Sequence, residues 1–283
     1  MTQKLTSNDH SRDSVGLKYV YPAMSRRSGG LSIGINFNTN SACNWRCIYC
    51  QVPDLMRGTA PEMDFQLLEQ ELRSFLADVL HGDFYDRFEI PKELRVIKDI
   101  AISGNGEPTS LVGFEKAVTL IGDIATELKV LPSANFVLIT NGSLMHQTKV
   151  QLGVKRLHHY KGQVWFKLDS ATEEGRKLIN STGQSAQKAL AGIISCAQLC
   201  RTKLQTCVLN YQGQGLIDSE KTAYLELLKQ IKNRTNISEV MLYTIARPSF
   251  QPEAVDIAKL DAQIMNEFAS EIRQIGYQVS VNS

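Results

Sequence analysis

The sequence predicts an α/β protein built as a partial, open (β/α)6 barrel of the TIM type. Six segments with a strand pattern alternate with segments that have helical spacing, which is typical of parallel βαβ units. Several of the strand segments are unbroken apolar runs, as a sheet covered on both faces requires. A doubly wound, flavodoxin-like sheet would give the same succession of elements, so periodicity alone leaves that alternative open.

The predicted elements follow one another along the chain. Residues 31–38 alternate apolar and polar side chains, the period of a strand, and residues 63–80 carry apolar side chains at helical spacing. The further predicted strands are 99–103, 135–140, 164–169, 204–209 and 240–245, and the further predicted helices are 111–128, 184–200, 219–233 and 256–275. A short apolar tail at 277–281 can add an edge strand. We expect residues 1–16 to form a flexible N-terminal segment and residues 17–283 to form one domain.

Composition and charge narrow the classes of function. With 43% hydrophobic and 21% charged residues, the chain has enough apolar residues for a buried core and the charge content of an ordinary globular protein. Its formal net charge of +2 creates no global field that demands a polyanionic partner. Six cysteines in 283 residues do not indicate a disulfide scaffold. The sequence shows neither a signal peptide nor an apolar stretch of about 18 residues, so we expect a cytoplasmic protein without membrane association.

Three cysteines lie close together, at Cys43, Cys47 and Cys50, with the spacing C-x3-C-x2-C. Iron–sulfur clusters are bound by cysteine thiolates, and a [4Fe–4S] cube usually takes four of them. Three thiolates leave one iron open to a ligand from outside the protein, which makes the cluster a site for chemistry. A closed zinc site requires a fourth ligand, and the sequence offers no second C-x2-C and no nearby histidine. A non-catalytic iron–sulfur or zinc protein, and cysteines buried by chance, are the alternatives.

The motif resembles the signature of the radical S-adenosylmethionine (SAM) superfamily, C-x3-C-x-aromatic-C, and Tyr49 fills the aromatic position. The resemblance implies a [4Fe–4S] cluster whose open iron is chelated by SAM. It also implies that one electron, supplied by a reductant such as flavodoxin or ferredoxin, cleaves SAM to methionine and a 5′-deoxyadenosyl radical. That radical abstracts hydrogen from a substrate. The fold implied by the resemblance is the same partial barrel.

Further candidate residues lie where predicted strands end, the position at which α/β proteins bind ligands. Gly104, Gly106 and Glu107 follow the second predicted strand, and the two glycines allow the backbone to approach a ligand closely. The run resembles the Gly-Gly-Glu-Pro element of the superfamily, whose carbonyl groups and acid receive the SAM ammonium, although Asn105 separates the two glycines. Asn141 follows the third predicted strand in an Asn-Gly turn and is a weaker candidate for the same site.

Two later strands carry charged candidates. Lys167 and Asp169 have the same parity on the fourth predicted strand and therefore point to one face. Charged side chains are rarely buried without a partner, so we interpret them as a pair that holds the SAM carboxylate and ribose. An ion pair at a sheet edge is the alternative. At the end of the sixth strand, the backbone near Tyr243 to Ala246, which includes Ile245, is a candidate adenine contact. Arg247 can bind a carboxylate or phosphate of the substrate.

A whole series of motifs resembles one branch of the superfamily, the wyosine-type tRNA-modifying synthases and their bacterial relatives. The series begins with Ser-Arg-Arg at 25–27 and Gly-Ile-Asn at 34–36, and it spans about residues 19–250. After the cysteine motif it continues with Gly-x-Gly-Glu-Pro-Thr, Ile-Thr-Asn-Gly-Ser and Tyr-Thr-x-Ala-Arg-Pro. The resemblance makes tRNA a candidate partner, with the basic stretch 149–161, interpreted as a loop, as a candidate RNA contact. Action on a small molecule or on a protein, as in glycyl-radical activation, is the alternative.

One departure from that branch concerns a second cluster. The synthases that condense pyruvate onto a tRNA guanine bind it through cysteines that precede the SAM motif, and this sequence has no cysteine before Cys43. Cys196 and Cys200 are four residues apart on a predicted helix, and Cys207 lies on the next strand. We therefore interpret these three as buried core thiols, with an auxiliary cluster as the alternative.

Overall fold

The computed structural model describes residues 15–25 and 29–283, and its central feature is an eight-stranded sheet. The strands are β1 (Val20–Ser25), β2 (Gly30–Ile35), β3 (Ala42–Cys43), β4 (Met56–Arg57), β5 (Ile97–Ile102), β6 (Asn135–Thr140), β7 (Gln163–Lys167), β8 (Arg201–Cys207), β9 (Leu209–Tyr211), β10 (Glu239–Tyr243), β11 (Ile257–Lys259) and β12 (Gln278–Asn282). The helices are α1 (Phe65–His81), α2 (Phe84–Arg87), α3 (Phe114–Glu127), α4 (Thr148–His159), α5 (Glu173–Asn180), α6 (Ala186–Leu199), α7 (Asp218–Lys232) and α8 (Ala262–Gln274). Residues 1–14 of the predicted flexible segment, and Arg26 and Arg27 of the Ser-Arg-Arg run, lie outside the described residues.

The order of strands in the sheet decides between the two predicted architectures. It runs β1-β2-β5-β6-β7-β8-β10-β12, the same as the order along the chain. From β2 to β12 all neighbours are parallel, and only β1 is antiparallel to its neighbour. A doubly wound sheet would reverse its order at a switch point, and this sheet does not. Because β1 and β12 are the two edges, the sheet is a partial, open barrel, as predicted.

The two faces of the sheet differ in chemistry. Ile33, Ile100 and Phe136 are neighbours in register on one face, and each is at most 1% exposed. They belong to the main hydrophobic core, which also contains the apolar sides of the helices. The other face carries polar side chains, such as Lys167 and Gln205, which are in register on β7 and β8. This inner face is therefore available for a site, whereas the outer face stabilises the fold.

Most predicted elements are present, with shifted ends. Residues 135–140 form β6 as predicted, and the helix predicted at 111–128 begins three residues later, at Phe114. The helix predicted at 256–275 begins only at Ala262, because residues 257–259 pair with β9 and the Asp261 side chain then caps α8 by accepting from Gln263 N at 2.7 Å. β1, α4 and α5 were not predicted. None of the described helices combines the length and the apolar character needed to cross a membrane.

Candidate functional site

The three motif cysteines lie on the connection between β2 and α1, at the carboxyl end of β2. None of the three forms a disulfide within the described residues, and each residue is half-buried. The chain turns within the motif, where Cys50 N donates to Cys47 O at 2.9 Å. Cys43 lies on β3, which pairs with β4 in a short parallel ribbon. Cys43 is opposite Arg57 in that ribbon. We refer to residues 43–50 as the cysteine loop.

The segment after β10 clamps the cysteine loop. The Ser249 hydroxyl donates to Ile48 O at 2.7 Å and to Cys50 O at 3.0 Å. Farther along the segment, both guanidinium ends of Arg46 bind the Glu253 carboxylate, at 2.7 and 2.6 Å. The loop is therefore held from the last part of the barrel, about 200 residues away along the chain.

Burial dominates the electrostatics of the cysteines. It raises the pKa of the Cys43 thiol to about 12, although the Trp45 backbone N–H opposes the rise. It also raises the pKa of the Cys47 thiol to about 11, against the lowering effect of the Lys167 ammonium. Metal ligands must be deprotonated, so binding of iron would displace these protons from the thiols.

The glycine run after β5 lies in close contact with the chain around the cysteine loop. A Cβ atom on Gly106 would lie 2.1 Å from Ala42 O, and one on Gly104 would lie 2.2 Å from Asn36 Oδ1. Side chains at these two positions are therefore excluded by contacts within the chain. The close approach to a ligand stays a prediction. Asn38, also beside Gly106, is 1% exposed, and its Oδ1 has no hydrogen-bond partner among the described residues. A buried acceptor without a partner is available to a ligand.

Glu107 joins the ends of β5 and β6. Its buried carboxylate accepts hydrogen bonds from the Thr109 backbone and hydroxyl at 3.0 and 2.6 Å, from the Thr140 hydroxyl at 2.6 Å and from Asn141 N at 2.7 Å. Burial raises the pKa of this carboxyl group, and the four hydrogen bonds oppose the rise. The Asn141 side chain in turn donates to Asn44 Oδ1 at 2.9 Å. The predicted residues Glu107 and Asn141 are thus brought next to the cysteine loop.

Asp169 is the polar centre of the site, and its side chain is fully buried. Its carboxylate accepts hydrogen bonds from the Tyr49 hydroxyl, from Asn180 Nδ2 at 2.8 Å and from Cys207 N at 2.9 Å. Lys167 Nζ lies 3.8 Å from Asp169 Oδ1, so the predicted pair is formed on one face of the sheet. Three elements are therefore tied to one carboxylate: the cysteine loop, α5 and the end of β8.

Lys167 lies between two aromatic rings. Its Nζ donates to the Tyr243 hydroxyl at 2.8 Å and lies 5.0 Å from the centre of the Tyr49 ring. Burial acts to lower the pKa of this ammonium group, but the Asp169 carboxylate leads the neighbours that oppose it, and the pKa lies above its ordinary value. Lys167 is therefore a fixed positive charge next to Cys47.

Arg247 and Ile245 lie beside the cysteine loop. Arg247 Nη1 donates to Gln51 Oε1 at 3.1 Å, and Gln51 Nε2 donates to Arg247 O at 3.4 Å. Ile245 packs against a small apolar cluster that contains Ile48 and Cys207. All the sequence-predicted site residues thus gather around the cysteine loop.

The remaining cysteines do not form one group. Cys207 faces the site, next to Asp169 and Lys167. Cys196 and Cys200 are buried in the main core, where the Thr202 hydroxyl donates to Cys196 Sγ at 3.4 Å and Cys200 Sγ donates to Gly162 O at 3.3 Å. Successive residues of a strand point to opposite faces of the sheet, and Cys207, on β8, points to the inner face. It is thereby separated from Cys196 and Cys200, which lie in the outer layer. The interpretation of Cys196 and Cys200 as core thiols agrees with these contacts.

The basic stretch 149–161 is not a loop, and that interpretation was wrong. Residues 148–159 form helix α4, with Val150, Val154 and Leu157 buried on one side. Tyr160 packs edge-on against Phe136 and donates to Asp123 Oδ1 at 2.7 Å, so its ring is not available for base stacking. The helix also ends at the amino end of β7, whereas the cysteine loop lies at the carboxyl ends of the strands. This stretch therefore does not line the site.

The donor set fits an iron–sulfur cube better than a single ion. Among residues 15–25 and 29–283, no three side chains of His, Cys, Asp or Glu converge closely enough to hold one metal ion. The zinc alternative therefore has no ligand set in this part of the chain. A cube differs, because each thiolate binds a different iron atom. Three half-buried thiols on one loop, with a fixed cation and a spare acceptor beside them, suit such a cluster and an amino-acid ligand.

Comparison with known proteins identifies the family of such a site. A family model described as the radical SAM superfamily matches residues 37–220. The chain is 26% identical over 230 residues to a UPF0026 protein of Helicobacter pylori, covering 81% of this chain and 66% of that protein. It is also 26% identical over 259 residues to a UPF0026 protein of Methanocaldococcus jannaschii, covering 87% and 70%. The chain thus spans 66% of the length of the Helicobacter pylori relative.

Solved structures show the same fold. A radical SAM methyltransferase from Sphaerobacter thermophilus superposes with a TM-score of 0.60 at 13% identity, covering 93% of this chain and 69% of that one. TYW1 with a lysine–pyruvate adduct bound superposes with a TM-score of 0.57 at 15% identity, covering 86% and 73%. Because the family model spans more than half of the sequence, the chain belongs to the radical SAM superfamily, whose enzymes use a [4Fe–4S] cluster and SAM.

Proposed function

We propose that this radical SAM enzyme modifies a nucleoside of tRNA. The observation that carries the proposal is the inner face of the open barrel. There, half-buried Trp165 has the same parity on β7 as Lys167 and is in register with Lys203 on β8. The Lys203 ammonium is paired with the Glu239 carboxylate at 2.7 Å, so the group on this face that suits a nucleic-acid base is the aromatic ring of Trp165.

The motif series supports the same substrate class. The glycine run, the Asn-Gly turn after β6 and the Tyr-Thr-x-Ala-Arg-Pro run after β10 resemble the wyosine-type synthases. All three surround the cysteine loop in the folded chain. The wyosine-type synthases bind a second cluster through cysteines that precede the SAM motif, and this sequence has none before Cys43. We therefore propose the substrate class and not the wyosine reaction itself.

The first role of the chain in this proposal is to bind the cofactors. Cys43, Cys47 and Cys50 hold the cluster, and the carbonyl groups of Gly104 to Glu107, with Asn38 Oδ1, receive the SAM ammonium. When bound, the cluster and SAM supply a one-electron cleavage to methionine and a 5′-deoxyadenosyl radical that takes hydrogen from the substrate. The Glu107 carboxylate holds the glycine run in place through its contacts with Thr140 and Asn141.

The second role is orientation. Lys167 keeps its positive charge because of Asp169, and we assign it to the SAM carboxylate. Asp169 was predicted to contact the ribose as well, but its internal partners occupy both oxygen atoms. We therefore propose that Asp169 acts as a positioning residue for Tyr49 and Lys167.

The third role concerns the remaining surface of the site. We propose that the backbone from Tyr243 to Ile245 borders the adenine and that Arg247 anchors an anionic part of the substrate. A flavodoxin or ferredoxin in the cytoplasm would supply the electron. Residues 17–283 would then act as one catalytic domain.

Nucleoside mass spectrometry of tRNA tests the proposed substrate. In a strain without the gene, we expect one modified nucleoside to disappear and its precursor to accumulate. A plasmid with the wild-type gene should restore it, and the same plasmid with Cys47→Ala should not. Identical nucleoside profiles in all strains would contradict the tRNA proposal and would favour a small-molecule or protein substrate.

A further inference from the structure

We propose that Asn180 raises the reduction potential of the cluster by donating an N–H···S hydrogen bond to Cys47. The inference rests on the assignment of Cys47 as a cluster ligand, and it adds a residue that the sequence motifs do not contain. Asn180 is the last residue of α5 and lies 133 positions from Cys47 along the chain.

The contact is a direct one. Asn180 Nδ2 lies 3.2 Å from Cys47 Sγ and 2.8 Å from Asp169 Oδ2. A side-chain amide has two N–H donors, and these two acceptors use both of them. The opposite orientation would place Oδ1 against the Asp169 carboxylate, so the contacts fix the amide nitrogen on the side of the sulfur. Asn180 is 1% exposed, and water therefore does not compete for this donor.

The backbone also fixes the position of the donor. Asn180 O accepts a hydrogen bond from Arg46 N at 3.1 Å, and Ile179 O accepts one from Ile48 N at 2.9 Å. These bonds dock the end of α5 on both sides of Cys47. At the other end of the helix, the Thr172 hydroxyl caps α5 by accepting from Gly175 N at 2.9 Å. The amide is thus carried by a short, anchored helix and not by a free loop.

Hydrogen bonds to cluster sulfurs are one of the factors that set cluster potentials. Reduction adds one negative charge, and an N–H donor stabilises the reduced cluster more than the oxidised one. The effect is larger in a buried site, where the local dielectric constant is low. Loss of the donor should therefore lower the potential and make the cluster harder to reduce.

The test is a redox titration of the anaerobically reconstituted protein without SAM or substrate, followed by electron paramagnetic resonance. The oxidised cluster takes one electron from dithionite in each protein. In Asn180→Leu, which keeps the branching of the side chain but has no donor, we expect the equilibrium constant for reduction to fall about tenfold, equal to about 59 mV for a one-electron couple. Asn180→Ala provides a second measurement if the leucine variant binds less iron.

Ser249→Ala is the matched control. Ser249 is also buried and also holds the cysteine loop, but it bonds to backbone carbonyl groups and not to a thiol. We expect its potential to equal that of the wild type. Asn180 variants with full iron content and an unchanged potential would overturn the inference, and so would an equal shift in Ser249→Ala. A wild-type protein that binds no [4Fe–4S] cluster would instead contradict the cluster assignment, and the tRNA result has no influence on this measurement.

Discussion

Cys47→Ala should abolish reductive cleavage of SAM. The residue is one of three thiols on the cysteine loop, and it lies at the centre of the site, next to Lys167, Asp169 and Asn180. Loss of an outer-shell partner of a metal typically costs about 10–100-fold in affinity or activity, so the loss of a ligand should exceed about 100-fold. The measurement is 5′-deoxyadenosine formed from SAM and dithionite under anaerobic conditions, together with iron and sulfide content.

Cys196→Ala is the control for this variant. Cys196 is a free thiol in the main core, and its sulfur accepts a hydrogen bond from Thr202. We expect this variant to bind iron and to form 5′-deoxyadenosine as the wild type does. A Cys47→Ala protein with full iron content and activity would contradict the ligand assignment, and loss of iron in Cys196→Ala would indicate a second cluster.

Asp169→Ala should destabilise the apoprotein by about 3–5 kcal/mol. Removal of one partner from a buried ion pair leaves the other charge uncompensated, and effects of this size are typical of such changes. The variant also removes the acceptor of Tyr49, Asn180 and Cys207 N. The free energy of unfolding in urea, measured without iron under reducing conditions, gives the loss directly.

Two further variants separate charge from packing. Lys167→Met combined with Asp169→Ala removes both charges, so the double variant should recover part of the loss. Glu271→Ala breaks a half-buried surface pair with Lys221, in which Lys221 Nζ lies 2.8 Å from Glu271 Oε1, and should cost less than about 1 kcal/mol. If Asp169→Ala lost no more than Glu271→Ala, Asp169 would not be the centre that holds the site together.

The fold class was predictable from periodicity, and the resemblance to the radical SAM superfamily also predicted the open barrel that periodicity alone left undecided. Alternating strands and helices were visible as apolar runs and helical spacing, yet the same pattern fits a doubly wound sheet. Only the order of the strands excluded it. Helix α4 was not predicted, although Val150, Val154 and Leu157 have helical spacing. That spacing was a signal for a helix in the sequence, and the interpretation of residues 149–161 as a loop was wrong for this reason.

The site was predictable where its residues follow strands. Cys43, Glu107 and Lys167 lie at carboxyl ends of strands, and parity placed Lys167 with Asp169 before the structure did. Asn38 also follows a strand, β2, so its position in the sequence could have identified it as a candidate site residue. Asn180 had none, because its role depends on how the end of α5 docks against the cysteine loop. The internal partners of Asp169 likewise depend on long-range contacts that no motif contains.

The central claim is a [4Fe–4S] cluster held by three cysteines, with one iron open to SAM. Mössbauer spectroscopy of anaerobic protein loaded with ⁵⁷Fe, with and without SAM, tests it most directly. We expect one of the four iron sites to change its isomer shift when SAM is added, while the other three keep theirs. Four sites that stay equivalent with SAM present, or a metal analysis that finds zinc and no cluster, would contradict it.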